Sequence, residues 1–264
     1  MQGQGKSTVA DIQARRRPAV RVIAFILYFA ALVILLMLGS WQVQRLHWKE
    51  ALIAQRAAKM ATAPMKIGDI MNVMTATMPP DEPPFEVEFQ PVTATGTFDH
   101  AHELYFLATL DGEPGFNVYT PFRLAAGSIV LVNRGFVPEQ FKDPASRKSG
   151  LVEGEVTIKG LAREALYAKP GFLVPDNNPA QNIFFWKDIR AMAAMAGIDR
   201  QKLVPFFIDA GSNADAAIWP KGGITIIDLP NNHLQYALTW YGLAVALLGV
   251  GLVSVYRRRR TPEA

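Results

Sequence analysis

No cysteine occurs in the 264 residues of this chain. That absence excludes a disulfide framework, a Cys-ligated zinc or iron–sulfur centre, a cysteine nucleophile and a covalently attached c-type haem. It leaves the redox compartment open. The commonest hydrolase signatures are also missing, with no G-x-S-x-G elbow and no H-E-x-x-H pair. Gly5-Lys6-Ser7 has the ending of a phosphate loop but lacks the glycine five residues earlier that the motif needs. Charged residues are few, at 19%, while half the chain is hydrophobic and 10% aromatic, a composition that excludes wholesale disorder.

What the chain does have is two long apolar runs, one near each end. From Val22 to Leu38 the only polar group is the phenol of Tyr28, and Gly39, Ser40 and Trp41 extend the run without a charge. Helix over residues 22–41 spans about 30 Å, the thickness of a bilayer core. Arg15, Arg16, Arg17 and Arg21 precede the run as the n-region of a signal peptide would, but the run is long and no small-x-small pair ends it, so an uncleaved anchor is expected. The second run, Leu234 to Tyr256, carries only Gln235, Thr239 and Ser254 as polar interruptions and is followed by Arg257-Arg258-Arg259-Arg260.

By the positive-inside rule both basic flanks belong on the cytoplasmic side. The expected organisation is a basic tail over 1–21, a first span over 22–41, an outer domain over 42–232, a second span over 233–256 and a basic tail over 257–264. In a bacterium the outer face is the periplasm. The formal charge of +4 and the pI near 9.3 then describe the tails. The first tail nets +4 and the second +3, which leaves about −3 for everything between. Nucleic-acid binding is excluded by both the place and the sign of the charge.

In the outer domain the helical pattern continues past Trp41 to Met60, with Trp41, Arg45 and Trp48 on one face. Residues 76–84, with Pro79-Pro80 and Pro83-Pro84, read as a linker. Strand patterns follow at Val87–Phe98, Leu104–Leu107, Phe116–Thr120, Ile129–Asn133, Val156–Ala162, Phe206–Asp209 and Gly223–Leu229, with an amphipathic helix over Phe184–Ala196. The expected fold is a membrane protein: two transmembrane α-helices flanking a β-rich α+β extracytoplasmic domain, a small sheet or partly closed barrel.

Few residues point to chemistry. His100-x-His102 would place two imidazoles on one face of a strand, but a solvated strand start explains them better than a metal site. Glu86 and Glu88 likewise read as a solvated edge. His233, Tyr236 and Trp240 form a stripe at i, i+3, i+7 where the second span begins, and Arg45 stands between Trp41 and Trp48 at the matching depth on the first. If the two helices pack together, that rim offers an imidazole, an arginine and several rings. A neutral imidazole ligates haem iron, arginine pairs with propionates and rings pack on a macrocycle. An interfacial anchor accounts for His233 on spacing alone. Gly242, Ala246 and Gly249 offer a close-packing face for another helix.

Several segments together resemble the Surfeit locus protein family of cytochrome c oxidase assembly factors. They are Leu38-Gly39-Ser40-Trp41-Gln42-Val43-Gln44-Arg45-Leu46-His47-Trp48-Lys49, then Gly96-Thr97-Phe98, then Gly115 to Phe122. Val130-Leu131-Val132-Asn133-Arg134-Gly135-Phe136-Val137-Pro138 follows, then Phe185-Trp186, and finally Asn231-Asn232-His233-Leu234-Gln235-Tyr236-Ala237-Leu238-Thr239-Trp240-Tyr241-Gly242. The match runs in order from 38 to 242 with the same two-span layout. Phe136 stands where the family often has Trp. Arg134 reads equally well as a structural tie to a carboxylate.

The resemblance implies a non-catalytic role in the bacterial inner membrane: transient, non-covalent binding of haem a and its presentation to subunit I of an aa3-type oxidase. Haem a synthase is a further candidate partner. It also implies that His233 contacts the haem iron, with Trp240 beside it; Tyr236, Arg45 and Trp41 come from the spacing argument. The alternative is a scaffold that binds no haem and stabilises subunit I through its helices.

Overall fold

The computed structural model describes residues 5–77, 86–213, 215, 217–224 and 230–260. The two basic tails, most of the proline linker and most of the strand expected over Gly223–Leu229 lie wholly or partly outside the described residues or side chains. In chain order the elements are α1 (Gly5–Met60), β1 (Met65–Lys66), α2 (Ile67–Thr77), β2 (Pro91–Phe98), β3 (Leu104–Leu110) and β4 (Glu113–Leu124). These are followed by β5 (Ile129–Pro138), β6 (Glu155–Glu164), β7 (Ile183–Phe184), α3 (Ile189–Met195), β8 (Leu203–Ala210) and α4 (His233–Arg260). The chain divides into two compact units. One joins residues 1–54 with 228–264, and the other comprises Gln55–Ile227.

The first unit is a helix pair. Val22–Met60 of α1 and His233–Arg257 of α4 are each long and apolar enough to cross a membrane. Their side chains are mostly turned outward: Phe25, Ile26, Met37, Val245 and Leu252 are all more than half exposed, as lipid-facing positions require. Exposure drops on α1 at Tyr28, Leu32, Leu35, Gly39 and Gln42, and on α4 at His233, Ala237, Trp240, Ala244, Leu247 and Gly251. Both series alternate steps of four and three, the spacing that keeps one seam facing a partner helix. The pair is antiparallel, because Tyr28 donates its hydroxyl to the Leu247 carbonyl (3.1 Å) while Ser40 and Tyr241 share a hydroxyl–hydroxyl hydrogen bond at 3.1 Å.

Glycine creates the room at this seam. A Cβ on Gly39 would press on the Tyr241 ring, and one on Gly251 would collide with Tyr28. The expected small-residue face is displaced: Cβ atoms on Gly242 and Gly249 would meet nothing within 4 Å. The seam uses Ala237 and Ala244, both buried, together with Gly39 and Gly251, which make room for the Tyr241 and Tyr28 rings.

The second unit is a closed five-strand barrel with extra strands. β2 pairs with β6, β6 with β8, β8 with β5, β5 with β4, and β4 closes back on β2. β5–β8 is parallel and the other ring pairings are antiparallel. β3 and β7 extend the sheet beyond β4, and β1 lies on β2. Closure depends on Gly96, whose missing side chain lets β2 cross over the Arg123 carbonyl. All five ring strands contribute to one cluster: Val92, Ala94, Phe122, Val130, Val132, Ala162 and Phe206 fill the interior. The Ile67–Ile70–Met74 face of α2 packs on that cluster. A second cluster on the outer face joins Leu104, Tyr119, Leu131 and Phe207 to Ile189 and Met192 of α3. β5 lies between the two clusters and is buried at all ten positions, which explains its unbroken apolar reading.

Several expected boundaries shift. The first ring strand begins at Pro91, since Phe89 takes φ 63° and interrupts the chain there. The helix expected over Phe184–Ala196 starts only at Ile189, where Asp188 accepts from the backbone N–H groups of Arg190 and Ala191. Phe184 instead belongs to β7, paired with Phe106. His100–His102 forms a single 3₁₀ turn, not a strand.

Candidate functional site

The site is assembled from the two ends of the sequence. Where α4 begins, His233 turns its ring toward Gln42 of α1, with Nδ1 2.7 Å from the amide oxygen Oε1. An amide oxygen can only accept, so Nδ1–H donates, the arrangement that in a neutral imidazole leaves the lone pair on Nε2. Gln42 thereby fixes both the tautomer and the orientation of the imidazole, as an outer partner does for a metal-ligating histidine. Asn231, two residues before, has a buried side-chain oxygen with no hydrogen-bond partner among the described residues.

The other expected site residues are distributed around this contact. Arg45 is held on its own helix, its guanidinium 4.8 Å from the Trp48 ring centre and 5.9 Å from that of Trp41. Trp41 and Trp48 are half exposed, which gives α1 a stripe of ring, cation and ring. Tyr236 is 55% exposed and lies beside the seam, whereas Trp240 is partly buried in it. His233 thus meets Gln42, not Arg45. Among the described residues no ring pairing joins Trp41 to Tyr236 or Trp240. Sequence spacing missed Gln42 because it lies just past the apolar run, in Gln42-Val43-Gln44-Arg45, where a polar residue is ordinary. The four–three periodicity from Tyr28 to Gln42 is the pattern that would have found it.

The barrel unit holds two polar networks, seeded by adjacent residues that point to opposite faces of β5. Asn133 donates to Asp209 at 2.9 Å. Asp209 accepts from Arg163 at 2.8 Å, and Arg163 bonds Glu88 at 2.8 Å. Glu88 is therefore an ion-pair partner and not part of a solvated edge; Glu86, largely exposed, faces Lys59. Beside this network is a cavity of about 310 Å3, lined by Asn117, Tyr119, Arg163 and Lys187 among others. Burial lowers the Lys187 ammonium from its ordinary value, opposed by the Asp209 charge. Two acids and two bases balance there, so the cavity makes no demand for a charged ligand.

On the other face Arg134 reaches Glu103 at 3.5 Å and also donates to the Gly150 carbonyl. Arg147 closes on the same carboxylate, and all three charged side chains are buried. Burial pushes the Glu103 carboxyl up. The His100 hydrogen bond and the Arg147 and Arg134 charges outweigh burial, so the net result lies below the usual carboxylate range. Burial brings Arg134 down to about 10. His100 donates from Nε2 to the Val152 carbonyl at 2.9 Å and lies beside this cluster, while His102 contacts Asp99 at 2.9 Å. The two imidazoles therefore serve different partners, and among the described residues no group of three or more His, Asp or Glu side chains converges to hold a metal ion.

The family model described as SURF1 family matches residues 29–245. The chain belongs to the SURF1 family. It is 37% identical to Surfeit locus protein 1 of Mus musculus over 226 residues, covering 79% of this chain and 68% of that protein. Identity to Surfeit locus protein 1 of Gallus gallus is 38% over 226 residues, with the same coverage. A SURF1-like protein of Monosiga brevicollis is 36% identical over 250 residues, 89% of this chain and 88% of its own. The matched region starts at Phe29 within α1 and ends at Val245 within α4, so it includes the Gln42–His233 contact. The two longest SURF1-like segments, 38–49 and 231–242, form the two sides of one helix seam through Gly39–Tyr241 and Gln42–His233. The segment over 130–138 supplies Asn133 and Arg134, the origins of the two barrel networks.

Proposed function

We propose that this SURF1-family chain is a non-catalytic assembly factor for an aa3-type cytochrome c oxidase, taking up haem a as cargo and presenting it to subunit I. The observation that carries the reading is the His233 imidazole, oriented by Gln42 so that its Nε2 lone pair is available at the end of the helix pair. A single imidazole suits a metal that arrives with its other ligands in a macrocycle. The residues that would hold the cargo are His233 at the iron, Trp240 and Tyr236 along the ring, and Arg45 with Trp41 at the propionate side. Iron ligation through one imidazole is non-covalent and exchangeable, which suits hand-over. The bacterial inner membrane is the proposed location, with both termini cytoplasmic and the barrel periplasmic; haem a synthase is the proposed donor.

The test is purification of the full chain from cells making haem a, followed by its visible spectrum. The reading expects a haem a spectrum that is lost on transfer to haem-free subunit I. Protein that carries no haem under these conditions would leave the alternative, a scaffold that stabilises subunit I through its helices. For the orientation, a reporter fused after Ala264 should be active only in the cytoplasm, and periplasmic activity would overturn it.

A further inference from the structure

The barrel unit carries two side chains that its fold does not use. Phe172 is 91% exposed and Leu173 is 82% exposed, whereas the next most exposed large apolar residue described in this unit, Leu107, reaches only 46%. They occupy the tip of a short, closed loop between β6 and β7. Pro170 and Pro175 bracket it, the Val174 N–H donates to the Gly171 carbonyl at 3.3 Å, and Lys169 clasps Asp176 across the base at 2.7 Å. The tip is thus held outward by its own backbone and by an ionic clasp. Beside the base, Arg190 lies over the Tyr167 ring at 5.1 Å, so cations and a ring form the collar below the apolar tip. Apolar side chains above a collar of ring and cation match the layering of a bilayer interface, where acyl chains give way to anionic headgroups.

Chain connectivity supplies the second argument. Only eight residues separate Ile224 of the barrel unit from His233, where α4 begins, which makes nine Cα–Cα steps. Fully extended at 3.3–3.6 Å each, these steps reach at most about 32 Å. A membrane surface is therefore always near this unit. We propose that the Phe172–Leu173 tip inserts into the interfacial layer of the membrane that α1 and α4 span, giving the barrel unit a third attachment. The attachment limits rotation of the unit about its tethers. It stands or falls independently of haem binding.

The cysteine-free chain makes the test direct. Phe172→Cys, Leu173→Cys and, as a control, Glu113→Cys at the exposed start of β4 are each labelled with an environment-sensitive fluorophore. The full chain is then reconstituted in vesicles of phosphatidylethanolamine and phosphatidylglycerol. Labels at 172 and 173 should emit at shorter wavelength than the label at 113. Acyl-chain nitroxide lipids should quench them at least twofold more strongly. Water-like, unquenched emission at 172 and 173 overturns the proposal. Emission that is shifted but not quenched by lipid also overturns it, since the tip would then be covered by protein.

Discussion

Glu103→Gln removes the charge that two buried arginines share. Glu103, Arg134 and Arg147 are 5%, 8% and 3% exposed, so water cannot replace the lost carboxylate. Arg147 keeps its bond to the Phe141 carbonyl at 2.9 Å, and Arg134 keeps the Gly150 carbonyl and the Phe98 ring, 4.9 Å from its guanidinium. Breaking a buried pair by removing one partner costs about 3–5 kcal/mol, and those remaining contacts put this case near the lower figure. For a unit of this size each kcal/mol shifts the melting temperature by about 2–4 °C, so a drop of about 6–12 °C is expected. The assay is thermal unfolding of the full chain in detergent, followed by near-ultraviolet circular dichroism. The sign with pH follows from the folded-state pKa of Glu103, which lies below its ordinary 4.5. The stabilisation is complete above that value and is lost as pH falls through the depressed folded pKa. Wild type and variant should therefore differ fully at pH 7 and converge in acid. A drop below 2 °C at pH 7, or a difference that widens in acid, would refute the reasoning.

Three further perturbations test other parts of the account. Gln42→Leu removes the acceptor that orients His233 and should weaken haem retention by about 10–100-fold, read by titration of bound haem, while leaving the barrel's melting temperature unchanged. Gly39→Ile should part the helices at Tyr241 and raise the maleimide reactivity of an introduced Ala237→Cys several-fold. Gly242→Ile, where a Cβ meets nothing within 4 Å, should not. Asp188→Ala removes the cap of α3 and should cost about 1 kcal/mol in a chemical-denaturation curve of the same full chain, with Arg190→Ala as a mild comparison.

The two spans were legible because a bilayer demands a length of uninterrupted apolar residues, a constraint that acts on local sequence alone. All five ring strands were legible too, though the first was read long, from Val87 instead of Pro91, and the other four short. Phe116–Thr120 extends to Glu113–Leu124 because its outer residues, Pro114 and Arg123, pair in the ladder despite poor strand propensity. Closure of the barrel was not legible, since it depends on a short non-local ladder that pairs Gly96, Thr97 and Phe98 with Leu124, Arg123 and Phe122. α2 was missed beside a proline-rich stretch, although Ile67, Ile70 and Met74 carry its i, i+3, i+7 face. At the candidate site the histidine stood out by its type. Its partner did not, because Gln42 is 191 positions away and becomes meaningful only once the helices are antiparallel. The tie from Arg134 to a carboxylate was anticipated in kind; that the carboxylate is Glu103, shared with Arg147, is visible only in three dimensions.

The most direct test of the central claim uses the fact that the chain has only four histidines, His47, His100, His102 and His233. Each is replaced singly by alanine, each variant is purified from cells making haem a, and haem per protein is measured from the visible spectrum. The account predicts that only His233→Ala loses the haem or changes its ligation signature. His47, largely exposed beside Glu50, and the two barrel imidazoles should leave it unchanged. Full haem content with an unaltered spectrum in His233→Ala would contradict the account.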